Sequence, residues 1–329
     1  MAYDGKVMSR ARVRFDREKA RRKEEFAARQ QTLFTRNPRL RQIDEELKGT
    51  MSQVIAAALK QGEDPLPVIR KVRDENLELQ RERAEILTAM GFPMDYLEEK
   101  PECPLCDDTG YCGRKMCRCL QKFYQEEQWK ELSRMLDLGN QRFENFSFEW
   151  YQKEKGQRKY SPREQMERNF DLCQDYAHQF SKQSENLLLS GDPGLGKTFL
   201  SACIARVVSE NGYSVVYDTA GHIFSRMEAE KFHREEEQAE NDVSRYENCD
   251  LLILDDLGSE MNSSFVQSAL YQLVNGRMSA GKKTIISTNL NPVELGERYG
   301  AATRSRLEGE YHILPFFGED IQKLKKEKD

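Results

Sequence analysis

The spacing of apolar residues divides the chain into two textures. Up to about residue 90 the apolar positions recur every three or four residues on a strongly charged background, which predicts helices. Residues from about 5 to 36 read as one polar helix, interrupted by Asn37-Pro38. A second helix carries Ile43, Leu47, Met51, Val54 and Ala58 on one seam. Gly62 to Pro67 breaks the pattern, and a third helix places Ile69, Val72, Leu79, Ile86 and Met90 on a stripe before Gly91 and Pro93 end it. This is a helical hairpin with a long lead-in. So narrow a seam requires a partner helix, either its own neighbour or that of another protein.

From about 185 the period changes. Asn186–Ser190, Ser214–Asp218, Leu251–Asp255, Thr284–Ser287 and His312–Phe316 are short apolar runs separated by helical stretches. Strands alternating with helices predict a parallel sheet covered on both faces, hence an α/β class for this part. A helix-rich connector, from about 120 to 138 and on towards 180, leads into it.

Length and charge narrow the picture further. The 329 residues suffice for one large or two moderate domains, and charged residues make up 33% against 38% hydrophobic. The net charge of −5 argues neither for nor against nucleic acid. Between Lys6 and Lys23, nine basic residues face two acidic ones, which reads as a solvated helix face. The N-terminus lacks the apolar core of a secretory signal. No apolar run approaches the ~20 residues of a membrane span. A cytoplasmic location without membrane contact is therefore expected. Thiols stay reduced there.

That expectation bears on the segment CPLCDDTGYCGRKMCRC, which holds five of the eight cysteines. In a reducing compartment, closely spaced Cys pairs point to a metal site rather than a disulfide knot. Cys103, Cys106, Cys117 and Cys119 supply four thiolates, the donor set of tetrahedral Zn²⁺. A redox or Fe–S role and plain free thiols are the alternatives. Cys112 is the spare, or replaces a member of the second pair. Cys173, Cys203 and Cys249 read as small buried residues.

Gly191-Asp192-Pro193-Gly194-Leu195-Gly196-Lys197-Thr198 fits G-x-x-x-x-G-K-[ST] between a predicted strand and a helical stretch. Its backbone N–H groups and the helix N-terminus suit phosphate oxygens. Lys197 is expected on the β/γ-phosphates and Thr198 on Mg²⁺. Leu251–Asp256 is an apolar strand ending in two carboxylates, Asp255 for the Mg²⁺ shell and Asp256 for the attacking water, with Glu260 sharing that task. Asn289, at the tip of the next run, is placed to bond the same water, or simply favours the turn before Pro292. Arg298, Arg304 and Arg306 offer guanidinium groups for phosphate charge, or are ordinary surface arginines. The absence of an N-K-x-D signature makes ATP the default nucleotide. Tyr217 and Phe224, near the second strand, are candidates for stacking bases, against the alternative of core packing.

GDPGLGKT, LLILDDLGSE, IISTN and RYGAATRSRLEG, in this order, resemble the DnaC/DnaI-type helicase loaders and the related IstB transposition ATPases of the AAA+ class, over roughly residues 140–329. The resemblance implies that Lys197 and Thr198 are Walker A residues, Asp255 and Asp256 Walker B, Asn289 sensor 1 and Arg306 an arginine finger acting from a neighbouring subunit. It also implies ATP-dependent homo-oligomers, contact with single-stranded DNA and a replicative helicase as partner. The cysteine segment resembles the linker of DnaI-like loaders, where a metal clamps a helical arm to the motor. One departure is Gln322, which stands where such loaders carry an arginine, followed by Lys323. The expected organisation is a helicase-interacting helical module over 1–100, a zinc segment over 101–120, a helical connector over 121–180 and an AAA+ ATPase domain over 181–329. The expected function is ATP-dependent loading of a helicase. An IstB-like transposition helper and a nucleotide-gated adaptor with little hydrolysis are the competing readings; residues 1–120 weigh against the first, and Asp255, Asp256 and Asn289 against the second.

Overall fold

The computed structural model describes residues 3–59, 66–134, 136–137, 140–232 and 237–328. Two compact units divide the chain, one of residues 14–117, the other of residues 1–13 together with 118–329.

The first unit is built on the part of α1 (Gly5–Arg36) from residue 14 on, with α2 (Pro38–Leu59) and α3 (Leu66–Ala89). Asn37 separates the first two helices: its carboxamide oxygen accepts the Arg39 N–H at 3.0 Å, and Pro38, with no N–H to lose, opens α2. Leu33, Leu40, Leu87 and Leu97 form the local core, with Phe34, Ile86, Met90, Phe92 and Tyr96 around it. Ile43 and Val72 are buried, while Leu47, Ile69, Leu79, Ile86 and Met90 are half-buried. The side chains of Met51, Val54 and Ala58, and the break at 60–65, lie outside the described residues. Arg39 on α2 grips Glu82 on α3 with two bonds of 2.7 Å. Gly91, at φ +80, closes α3, and the Phe92 N–H returns to the Leu87 carbonyl at 2.9 Å. Beyond it, β1 (Tyr111–Cys112) and β2 (Lys115–Met116) form a minimal antiparallel hairpin.

The second unit contains a five-stranded parallel sheet. Its strands are β3 (Asn186–Gly191), β4 (Val215–Thr219), β5 (Leu251–Leu257), β6 (Lys283–Thr288) and β7 (Tyr311–Phe316), in the spatial order β4-β5-β6-β3-β7. The runs read from the sequence are these five strands. β4 starts one residue late because the Ser214 N–H goes to the Asp250 carboxylate at 3.2 Å instead of joining the ladder. Alternation sends Leu187, Leu189, Val215, Tyr217, Leu251, Ile253 and Ile285 to one face. Leu188, Val216, Leu252, Leu254 and Ile286 go to the other. On the first face lie α5 (Pro162–His178) and α6 (Lys197–Glu210), together with Leu132 at the end of α4 (Arg118–Leu132). On the second lie α7 (Ala220–Phe232), α8 (Glu237–Asn248), α9 (Ser264–Ser279), α10 (Pro292–Tyr299) and α11 (Ala301–Glu310). The last helix is α12 (Ile321–Lys328).

Tyr217 and Phe224 belong to these cores. Both are buried, at 7% and 2% exposure, so neither presents a ring for stacking on bases. The amphipathic strand and helix that carry them are covered on that side, and core packing wins. Cys173, Cys203 and Cys249 are buried as well.

The N-terminal residues belong to this second unit. Val7 and Ala11 pack on Tyr124. Asp4 pairs with Arg245 at 2.9 Å, and Arg245 and Arg10 share Glu131 at 3.3 and 2.8 Å. Arg277 is the largest fully buried side chain among the described residues. It donates to the carbonyls of Tyr246 (2.6 Å), Glu247 (3.1 Å), Cys249 (3.2 Å) and Lys283, and to the Thr284 hydroxyl at 3.0 Å. It thereby closes the C-terminus of α8 onto the starts of β5 and β6. Arg277→Met is expected to cost about 3 kcal/mol or more, because several carbonyls at roughly 1–3 kcal/mol each lose their donor. Urea denaturation of the two proteins measures it.

Candidate nucleotide site

The loop 191–198 lies between β3 and α6, at the C-terminal ends of the strands. Its glycines are required there. Gly191 has φ +151, and a Cβ on it would sit 1.9 Å from the Phe316 carbonyl oxygen. Gly196, at φ +92, would carry a Cβ 2.8 Å from the Tyr151 hydroxyl. That hydroxyl donates to the Leu195 carbonyl at 3.1 Å, and burial pushes its pKa up. Gly194 lies against the Asp320 carboxylate, and its carbonyl accepts the Ile321 N–H at 3.1 Å. The segment brought to the loop is thus Asp320-Ile321, with Gln322 and Lys323 exposed just beyond. Asp192 and Pro193 form the exposed crest.

Lys197 is buried at the start of α6. Its ammonium donates to the carbonyls of Gly191 and Asp192, the latter at 2.8 Å, and to the Asn289 carboxamide oxygen at 2.8 Å. Burial pushes its pKa down, and Asp255, Asp256 and Asp192 oppose that shift. Thr198 donates to Asp255 at 3.1 Å. Asp255, 5% exposed, also accepts from the hydroxyls of Ser287 and Tyr217. Asp256 behaves differently. The β5–β6 register shifts between Leu254 and Leu257, and Asp256 takes φ +56. The kink turns its side chain out to solvent, where its carboxylate accepts the Asn289 amide at 3.3 Å. Its own N–H is held by Ser287 at 3.0 Å. Asn289 therefore joins Lys197 to Asp256.

Two candidates stand apart from this group. Glu260 directs its carboxylate to the Gly258 N–H at 2.9 Å, to the Tyr299 hydroxyl and to Arg298. Arg306 lies on α11, about half exposed and 3.9 Å from Glu310. Sequence reasoning did not find the roles of Ser287, Tyr217 and Tyr151. Ser287 was within reach, because it precedes Asn289 by two and so shares its side of the strand. Tyr217 comes from a neighbouring strand, and Tyr151 from a loop more than forty residues upstream.

The sulfurs of Cys103, Cys106, Cys117 and Cys119 all lie within 4.8 Å of one another. Cys119 sits two residues past Cys117, in the first turn of α4. The Cys103 and Cys117 sulfurs are 3.6 Å apart, close to the edge of about 3.8 Å expected for four sulfurs at 2.3 Å around one Zn²⁺. Asp108 shapes the loop by accepting the N–H groups of Cys103 (2.9 Å) and Glu102 (3.1 Å), and pairs with Arg22 at 3.2 Å. Cys112 is exposed, on β1, and its thiol donates to the Leu105 carbonyl at 3.3 Å.

A parallel sheet with a Gly-rich loop and an acidic strand tip converging on one lysine defines a P-loop nucleotide-binding module. Residues 157–327 match the model of the IstB-like ATP binding protein, and the chain belongs to that family. The replicative helicase loader DnaC of Buchnera aphidicola subsp. Baizongia pistaciae is 30% identical over 128 residues, 38% of this chain and 52% of that protein. The replicative helicase loader DnaC of Escherichia coli is 31% identical over 138 residues, 41% of this chain and 55% of that protein. The chain thus spans about half the length of these curated relatives. A solved structure of the DnaC helicase loader aligns over 53% of this chain and 98% of its own, with 20% identity and a TM-score of 0.44. No helix among the described residues is long and apolar enough to cross a membrane.

Proposed function

We propose that this chain is an AAA+ ATPase that docks on a replicative helicase and delivers it to single-stranded DNA, with nucleotide hydrolysis as the release switch. The observation that carries the hydrolytic part is the continuous set of contacts from Lys197 through Asn289 to Asp256, beside Thr198 on Asp255. The likeness to proteins named replicative helicase loader supports the rest. In this reading Lys197 neutralises the β/γ-phosphates. The Thr198 hydroxyl and the Asp255 carboxylate, already adjacent, fit a Mg²⁺ ion, which supplies charge neutralisation when bound. Asp256, exposed and turned toward Asn289, polarises the attacking water. Arg306 acts on the site of the next subunit in an ATP-dependent homo-oligomer. The helical module over 1–100 docks on the helicase, 101–120 bind zinc, and 121–180, whose α5 packs on the sheet, forms the motor together with 181–329. The family match supports a second reading, an IstB-like transposition helper that serves a transposase instead.

The test is retention of a replicative helicase on circular single-stranded DNA in the presence of ATP and the full chain. Parent protein is expected to retain it and to release on turnover. Lys197→Ala is expected to lose nucleotide binding and loading together. Asp256→Asn is expected to bind ATP like the parent but hydrolyse it roughly 10²-fold more slowly, the lower end of what a positioned base contributes. Absence of helicase binding, with capture of a transposase in its place, favours the second reading.

Four thiols at this spacing fit Zn²⁺, which, when bound, supplies a cross-link to a loop that lacks an apolar core of its own. Metal analysis of the never-chelated protein is expected to find about one Zn²⁺ per chain. Cys112→Ser is expected to keep it and Cys106→Ser to lose it. A parent free of zinc contradicts the assignment.

A further inference from the structure

Glu260 follows the strand that carries Asp255 and Asp256, yet its surroundings do not suit a group that activates water. Its side chain is 4% exposed. One carboxylate oxygen accepts the Gly258 N–H at 2.9 Å. The other accepts the Tyr299 hydroxyl and lies 3.5 Å from the Arg298 guanidinium, which also donates to the Glu260 carbonyl. A buried carboxylate with both oxygens engaged and a guanidinium beside it is a fastening. What it fastens is specific. Asp256 at φ +56 and Gly258 at φ +112 leave the end of β5 on a bent path, and Glu260 ties that path to the last turn of α10.

The far side of the fastening leads to Arg306. Arg298 and Tyr299 end α10, and Gly300, at φ +89, is both the last cap of α10 and the first of α11. No loop intervenes, so the direction of α11 follows from where α10 ends. Gln267 of α9 donates to the Arg298 carbonyl at 2.8 Å and holds the corner from a third side. On α11, Thr303 and Leu307 are buried, and the Arg304 stem lies over Gly296, where a Cβ would come within 2.7 Å of it. Arg306 is exposed on α11. Arg298 is spent inside its own chain, and Tyr299 is buried, with its pKa pushed up by burial and by Glu260.

We propose that Glu260, Arg298 and Tyr299 are positioning residues: they clamp the loop after β5 to α10 and so fix the angle at which α11 presents Arg306 to the neighbouring subunit. This rests on the reading of Arg306 as a finger acting in trans. The clamp then sets the finger a chain offers next door, while the chain's own phosphate site is held separately by the contacts of Lys197, Asn289 and Asp256. Loss of the clamp harms the neighbour's hydrolysis and spares the chain's own.

Mixed oligomers separate these effects. Lys197→Ala subunits keep the finger and lack a working site. Arg306→Ala subunits keep the site and lack the finger. Mixing the two is expected to recover ATPase activity. Arg298→Ala is then added to one partner at a time. In the finger-giving subunit it is expected to reduce the recovered rate about tenfold or more, since a misplacement of about 1 Å can cost 10²-fold. In the site-giving subunit it is expected to leave the rate within about twofold, which also shows that the variant folds and assembles. Tyr299→Phe, a smaller change, is expected to give the same asymmetry with a smaller loss. Native mass spectrometry verifies that every pair mixes. Equal loss in both placements, loss only in the site-giving subunit, or no loss in either overturns the clamp while leaving the finger in place. Failure of the unmodified pair to recover removes the trans finger, and the clamp's role falls with it.

Discussion

The Asp255 carboxylate holds the nucleotide-binding unit in register. It sits almost fully buried near the end of β5 and receives hydroxyls from Thr198 on α6, Tyr217 on β4 and Ser287 on β6. A buried carboxylate without such partners is costly enough to neutralise itself. With them, one charge fastens four elements at the edge where phosphates are expected. Lys197 completes the arrangement. Its ammonium is disfavoured by burial and sustained by the carboxylates Asp255, Asp256 and Asp192 around it. The charges of the site therefore support one another, and each is placed by an element that the others hold.

The neighbouring residue shows how one backbone irregularity divides two roles. Without the shift in register after Leu254, strand alternation alone would set where Asp256 points. The positive φ turns Asp256 outward, to the Asn289 amide, while Asp255 stays inside. Adjacent carboxylates thus acquire different surroundings, one enclosed by hydroxyls and one open to solvent.

Much of this was legible in the chain itself. Short continuous apolar runs marked all five strands, and glycines with a lysine at fixed spacing marked the loop between β3 and α6. Asn37-Pro38 and Gly91 marked helix ends for reasons that act within a few residues. What escaped depended on distant pairing. Tyr217 reaches Asp255 only because β4 pairs with β5 in one register, and nothing near Tyr217 in sequence announces that. Glu260 read as a second acid near the water because its distance along the chain was short; its partners Arg298 and Tyr299 lie some forty residues on. Nothing in the sequence singles out Arg277, whose partners come together only when α8 and β6 assemble around it. The five clustered cysteines, by contrast, needed only local spacing, and four of the sulfurs do gather.

The role of Asp255 as the charged hub is tested most directly by the Mg²⁺ dependence of ATP binding in Asp255→Asn, a substitution that keeps the shape and removes the charge. The parent is expected to bind ATP more tightly as Mg²⁺ is added. The variant is expected to remain folded, to bind ATP weakly and to gain nothing from Mg²⁺. A variant whose affinity rises with Mg²⁺ as the parent's does would contradict the account.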